Sequence, residues 1–205
     1  MEEESPESAT PLAAPQIDNP AGSRVIVLIG LMGAGKSTVG RRLAARLGVN
    51  FLDTDNEIET AAGMTISEIF EKHGEPAFRR GENKVIERLL QDMSTGDPPG
   101  GVLATGGGAF MNAGTREAIS RNGVSVWLRA DVELLLRRVA RRNHRPLLKQ
   151  GDARETMLRL RDERYPVYAL ADIVVDSVDA PHEEVVDMII DKLRTHFSAS
   201  GERAP

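Results

Sequence analysis

Short, largely apolar runs alternate along the chain with longer segments whose apolar residues recur every three to four positions. The runs are RVIVLI (24–29), VNFL (49–52), GVLAT (101–105), VSVWL (124–128) and DIVVD (172–176), and each has the length of a strand. Apolar throughout instead of at every second position, they predict strands covered on both faces, the habit of parallel sheets. Between them the helical period predicts helices over 37–47, where Val39, Leu43 and Leu47 share a face, and over 66–72, 77–93, 115–122, 131–142, 153–170 and 181–197. Strand and helix in alternation mean an α/β domain with a parallel sheet, whose ligands gather at the carboxyl ends of the strands. Residues 1–23 carry neither period, being acidic and then rich in Pro, Ala and Ser, and are expected to form a disordered tail. Residues 198–205 read the same way, which leaves 24–197 as the folded domain.

Composition changes this picture chiefly by exclusion. A length of 205 residues fits one domain, or one domain with a mobile subdomain. With no cysteine, disulfides, zinc–thiolate sites, iron–sulfur clusters and cysteine nucleophiles are ruled out. No apolar run approaches the roughly 20 residues that span a bilayer, and no secretory signal opens the chain. A reducing, cytoplasmic setting is therefore expected, with no membrane partner. A net charge of -5 and an aromatic content of 4% suit nucleic acid poorly, because phosphate neutralisation needs a basic face and single strands need stacking platforms. The arginine clusters must then answer to local chemistry.

The first strand runs into GLMGAGKS (30–37), which matches G-x-x-x-x-G-K-[ST] at every fixed position and opens a helix. Gly33, Ala34, Gly35, Lys36, Ser37 and Thr38 are thus candidates for cradling the phosphates of ATP. Glycines let successive N–H groups turn inward at a helix N-terminus, Lys36 reaches the β- and γ-phosphates, and Ser37 offers its hydroxyl to Mg2+. A dinucleotide fingerprint does not fit, since Gly33-Ala34-Gly35 is followed three residues on by Thr38. A GTPase does not fit either: the Asn83-Lys84 pair lacks the following Asp, and the Asp97–Gly100 stretch holds two prolines and precedes its strand.

The second strand ends in FLDTDNEIE (51–59). If the strand continues, Asp53 and Asp55 point to one side, where one can hold Mg2+ and the other an acceptor hydroxyl. The alternative is that Asp55 or Asn56 caps the next helix. GEPAFRRGENKVI (74–86) brings Arg79 and Arg80, the latter expected in solvent. Three consecutive glycines, Gly106, Gly107 and Gly108, indicate a close backbone approach, a flexible loop being the alternative. NHRPLL (143–148) places Arg145 before a proline in an Arg-rich stretch suited to a mobile lid; for most of Arg137, Arg138, Arg141, Arg142 and Arg154, solvation of helix faces is the expected role.

Together GLMGAGKSTVG, DTD, FRRGE, GGGA and RPLL followed by RYPVYALAD resemble the shikimate kinase family, in its order and spacing across 24–197. The resemblance implies a P-loop three-layer α/β/α fold with a five-stranded parallel sheet, an acceptor-binding region near 55–81 and a mobile lid near 142–165. It implies ATP-dependent phosphorylation of the 3-hydroxyl of shikimate, on the route to chorismate and aromatic amino acids, by a protein acting as a monomer. By position, Asp55 would bind the attacking hydroxyl, and Arg79 with Arg164 the shikimate carboxylate. Gly106, Gly107 and Gly108 would offer backbone N–H groups to the substrate. Arg145 would contact the phosphates, and Ser37 with Asp53 would manage Mg2+. The chain departs from the family in a Gly/Pro-rich GDPPGG (96–101) and in a short RRNH before Arg145, where Arg141 or Arg142 would stack on adenine.

Overall fold

The apolar runs assemble into one sheet. In a computed structural model that describes residues 17–140, 152–177 and 179–199, the strands are β1 (Val25–Ile29), β2 (Phe51–Asp53), β3 (Gly101–Ala104), β4 (Gly123–Arg129) and β5 (Ile173–Asp176). All pairings are parallel, in the order β2-β3-β1-β4-β5. Every residue of β1 and β3 is buried, as an apolar run without alternation requires.

The helices are α1 (Lys36–Leu47), α2 (Thr54–Ala62), α3 (Ile66–Thr95), α4 (Ala113–Asn122), α5 (Val132–Ala140), α6 (Ala153–Tyr168) and α7 (His182–Ala199), with a 3-10 turn at Ala109–Met111. Leu43 of α1 joins β1 in the buried core with Leu90 of α3, Ile119 of α4 and Ile189 of α7. A separate small core of Ile58, Ile69 and Phe78 lies between α2 and the first half of α3. Among the described residues no helix is long and apolar enough to cross a membrane.

Three boundaries differ from the sequence expectation. Val49 is not in β2: Gly48 turns left-handed (φ 66°), and the N–H of Val49 closes back on Ala44 O at 3.0 Å, so α1's last carbonyls claim it. The helices expected over 66–72 and 77–93 are one run, broken at Gly74 (φ 75°, ψ 167°) just ahead of Pro76. Packed structure also begins upstream of Arg24, for Ile17 N donates to Arg46 O and Ala21 is buried. The Gly/Pro-rich 96–101 segment leads into β3 at the sheet's amino end, away from the strand termini where a ligand would bind.

Candidate active site

Three loops meet at the carboxyl ends of β1, β2 and β3. The first is the P-loop. Gly33 and Gly35 both take left-handed φ values, 83° and 94°, and Gly35 starts α1 without any side-chain cap, so its helix end is dressed by backbone N–H groups alone. Gly33 has a second reason to lack a side chain, since a Cβ there would lie 2.8 Å from Val139 and 2.9 Å from Leu135 O of α5. Lys36 Nζ folds back over the loop to Gly30 O (2.8 Å) and Leu31 O (3.0 Å). Ala34 sits beneath, buried, its N–H bonded to Leu31 O.

The second loop corrects the expectation for the two aspartates. β2 does not continue past Asp53. Asp53 itself is the N-cap of α2, its Oδ1 accepting from Asp55 N at 3.1 Å, and Asp55 stands in the helix's first turn. Capping is thus real but falls on Asp53, not on Asp55 or Asn56. Its other oxygen, Oδ2, accepts from Ser37 Oγ at 2.6 Å. The two groups expected at a magnesium ion are therefore already side by side, and Asp55, in the first turn of α2, lines the same cavity.

The third loop is the triple glycine, and close approach is the reason for it. A Cβ on Gly106 would lie 2.9 Å from Asp55 Oδ1 and 2.9 Å from Glu82 Oε1; on Gly107, 3.2 Å from Arg164 Nη1; on Gly108, 2.5 Å from Arg79 Nη1. The flexible-loop alternative is set aside, and Asp55, Arg79 and Arg164 are brought together around one backbone turn. Gly106's N–H is taken by Thr54 Oγ1 (3.1 Å), and Gly107 contributes an acceptor, its carbonyl receiving Arg164 Nη1 at 2.9 Å.

Glu82 is the residue sequence reasoning left without a role. It is 3% exposed, pairs through Oε2 with Arg79 Nη1 at 2.7 Å, and its Oε1 finds no hydrogen-bond partner among the described residues. Burial raises its pKa; Arg79 opposes that, and the nearby Asp55 charge adds to it. Burial works against the charge of Arg79 too, but Glu82 and Glu75 outweigh it and keep the guanidinium cationic. The signal was a Glu at helical spacing i+3 from Arg79, which sequence cannot distinguish from a surface ion pair.

One cavity of about 450 Å³ is lined by Gly33, Gly35, Lys36, Ser37, Thr38, Asp53, Asp55, Gly106 and Gly107. It extends past Arg138 and Val139 to Asp179, Ala180 and His182. Arg138 therefore does not merely solvate its helix: it is partly buried, donates to Ser177 Oγ at 2.9 Å and walls the far end of the cavity. Arg80 is exposed, as expected. Arg145, its neighbours Arg141 and Arg142, and the 142–151 part of the expected lid lie outside the described residues.

An anion cradle that shares its cavity with a carboxylate at a strand's end puts the protein in the class of P-loop kinases acting on small molecules. The shikimate kinase family model matches residues 32–194. A shikimate kinase of Paramagnetospirillum magneticum is 58% identical over 174 residues, 85% of this chain and 86% of that one. Another, of Bradyrhizobium diazoefficiens, is 52% identical over 201 residues, covering 97% and 93%. Among solved structures, shikimate kinase from Acinetobacter baumannii in complex with shikimate superposes with a TM-score of 0.75 at 38% identity, over 87% of this chain and 94% of that one. A gluconokinase from Sinorhizobium meliloti, at 16% identity and a TM-score of 0.55, shares the fold alone. The chain belongs to the shikimate kinase family.

Proposed function

We propose that this protein transfers the γ-phosphoryl group of ATP to the 3-hydroxyl of shikimate, giving shikimate 3-phosphate and ADP. The observation that carries this is the convergence of Asp55, Arg79 and Arg164 on the Gly106–Gly108 turn, opening into the cavity of the P-loop. A carboxylate on a hydroxylated ring asks for planar, bidentate arginines at one end and a carboxylate acceptor for its hydroxyl at the other. This site supplies both.

Lys36 and the N–H groups at the start of α1 hold the β- and γ-phosphates, with Thr38 beside them, while Arg138, Val139 and Ala180 flank the nucleotide's base end. Arg79 and Arg164 fork the acceptor's carboxylate, which leaves Asp55 to orient the attacking hydroxyl. Glu82 Oε1 is a ready acceptor for a further hydroxyl. Arg145 takes the phosphate-binding role that the family resemblance gives it. The transition state is loose, so Asp55 serves mainly to aim the hydroxyl, and most of the acceleration comes from placement and charge neutralisation. Ser37 and Asp53 fit Mg2+: a hydroxyl and a carboxylate at hydrogen-bond distance are hard oxygen donors, and magnesium needs few protein ligands because it keeps several waters. Bound there, the ion would supply charge neutralisation at the β- and γ-phosphates. The same proposal takes the working protein to be a cytoplasmic monomer, which light scattering of purified protein checks.

The test is ADP release with magnesium-ATP and shikimate, gluconate or no acceptor in parallel. Release with shikimate alone is expected. Release with gluconate alone would leave a P-loop kinase but overturn the acceptor assignments, and silence with all three would overturn the proposal.

A further inference from the structure

Tyr168 has a hydroxyl that packing does not explain. It ends α6 fully buried, at 0% exposure. Its ring is set edge-on against Trp127, with centroids 5.9 Å apart, and against Phe110 at 6.4 Å. A phenylalanine would fill that space equally well. The hydroxyl instead donates to Gly107 O, the same carbonyl that receives Arg164 Nη1. Burial pushes the phenol's pKa up to about 12, with the Arg164 charge opposing, so the group remains a donor at any working pH.

We infer that Tyr168 is a positioning residue for recognition of the acceptor's carboxylate, acting through the Gly107 carbonyl and Arg164. A carbonyl oxygen has two lone pairs, and here both have donors. When Arg164 turns its fork to a ligand carboxylate, it weakens or gives up its bond to Gly107. Without a second donor that half-buried carbonyl would lose its protein partners, and the triple-glycine turn would lose its anchor. Tyr168 keeps Gly107 satisfied whichever partner Arg164 holds, so the turn that faces Asp55 and Arg79 stays in place as the acceptor arrives. This deepens the acceptor-site assignment above and rests on it.

Tyr165 provides an internal control. It lies on the same helix and in the same aromatic cluster, 4.8 Å from the Trp127 ring, but its hydroxyl donates to Ala130 O and does not touch the glycine turn. Tyr168→Phe and Tyr165→Phe each delete one donated hydrogen bond. We expect Tyr168→Phe to raise KM for shikimate, and its dissociation constant measured by calorimetry without nucleotide, about five- to tenfold, with KM for ATP within about twofold of wild type. Tyr165→Phe should leave both constants unchanged. In an Arg164→Ala background Tyr168 is the remaining of the two donors to Gly107 O, so the Tyr168→Phe effect on acceptor affinity should differ from that in wild type, the two residues acting through one carbonyl. Wild-type shikimate affinity in Tyr168→Phe, or equal shifts in both single variants, would overturn the inference while leaving the function intact. Absence of shikimate turnover by the wild-type protein would overturn both.

Discussion

Lys36 and Glu82 show how differently two charged side chains of one site relate to the fold. Lys36 is partly exposed above the P-loop, and removing its ammonium opens no core cavity. Lys36→Ala is expected to lower kcat by about a hundredfold or more, with a melting temperature close to wild type; retained turnover would remove the P-loop assignment. Glu82 is buried, and its raised pKa means that the fold disfavours its charge. The sign follows directly. Its contribution to stability is fully present at low pH and declines as pH rises from the ordinary carboxylate range through the higher folded value. Glu82→Gln should flatten that decline, and at neutral pH it should melt no lower than wild type, because Arg79 keeps Glu75 and some solvent. Its KM for the acceptor should rise as Arg79 loosens. A clear fall in melting temperature at neutral pH would show that the ion pair outweighs the burial penalty. None of this could be read in the sequence, where Glu82 looks like a helix-surface partner of Arg79.

At the scale of elements, the acceptor side of the site hangs on the break in α3. The capping box at Thr65 and Glu68 starts the first limb, and Gly74 in a left-handed φ ends it. The second limb then carries Phe78 back against Ile58 and Ile69, while Phe70 and Phe78 stack with centroids 4.6 Å apart. Arg79 and Glu82 sit on this second limb, so their aim depends on the break. Nothing crowds a Cβ at Gly74 beyond Pro76 at 3.8 Å, which leaves backbone strain as the penalty for a side chain there. Gly74→Ala should cost about 1–3 kcal/mol, lower the melting temperature by about 3–10 °C, and raise KM for shikimate more than for ATP. Equal changes in both constants would mean that the break serves the whole fold and not the acceptor side. Here the sequence was partly legible: the helical period lapses between 72 and 77, but periodicity alone does not say that the limbs stay continuous.

For the whole molecule, the strand order β2-β3-β1-β4-β5 sets the P-loop, the Asp53–Asp55 turn and the triple glycine on three adjacent strands. On the proposed function both substrates bind the native state at the carboxyl end of the sheet and should stabilise it. Magnesium-ATP or shikimate at a hundred times its dissociation constant should each contribute about 2.7 kcal/mol, seen as a rise in melting temperature of about 5–10 °C. In Arg79→Ala the shift with shikimate should be lost and that with ATP kept. Loss of both shifts would mean that Arg79 supports the fold itself.

The sequence by itself determined the parallel α/β class, the P-loop and its place between strand and helix, because unbroken apolar runs and a motif of fixed spacing are local signals. It also determined that Asp53, Asp55, Arg79, Arg164 and the three glycines belong together, through their resemblance to a family. Only the tertiary structure decided how each is placed and held there. Whether an aspartate continues a strand or caps a helix depends on where the ladder ends. Whether Glu82, Arg138 and Tyr168 are exposed to solvent or covered depends on elements far apart in the chain, and hydrogen bonds such as that from Tyr168 to Gly107, 61 residues apart, leave no periodic trace.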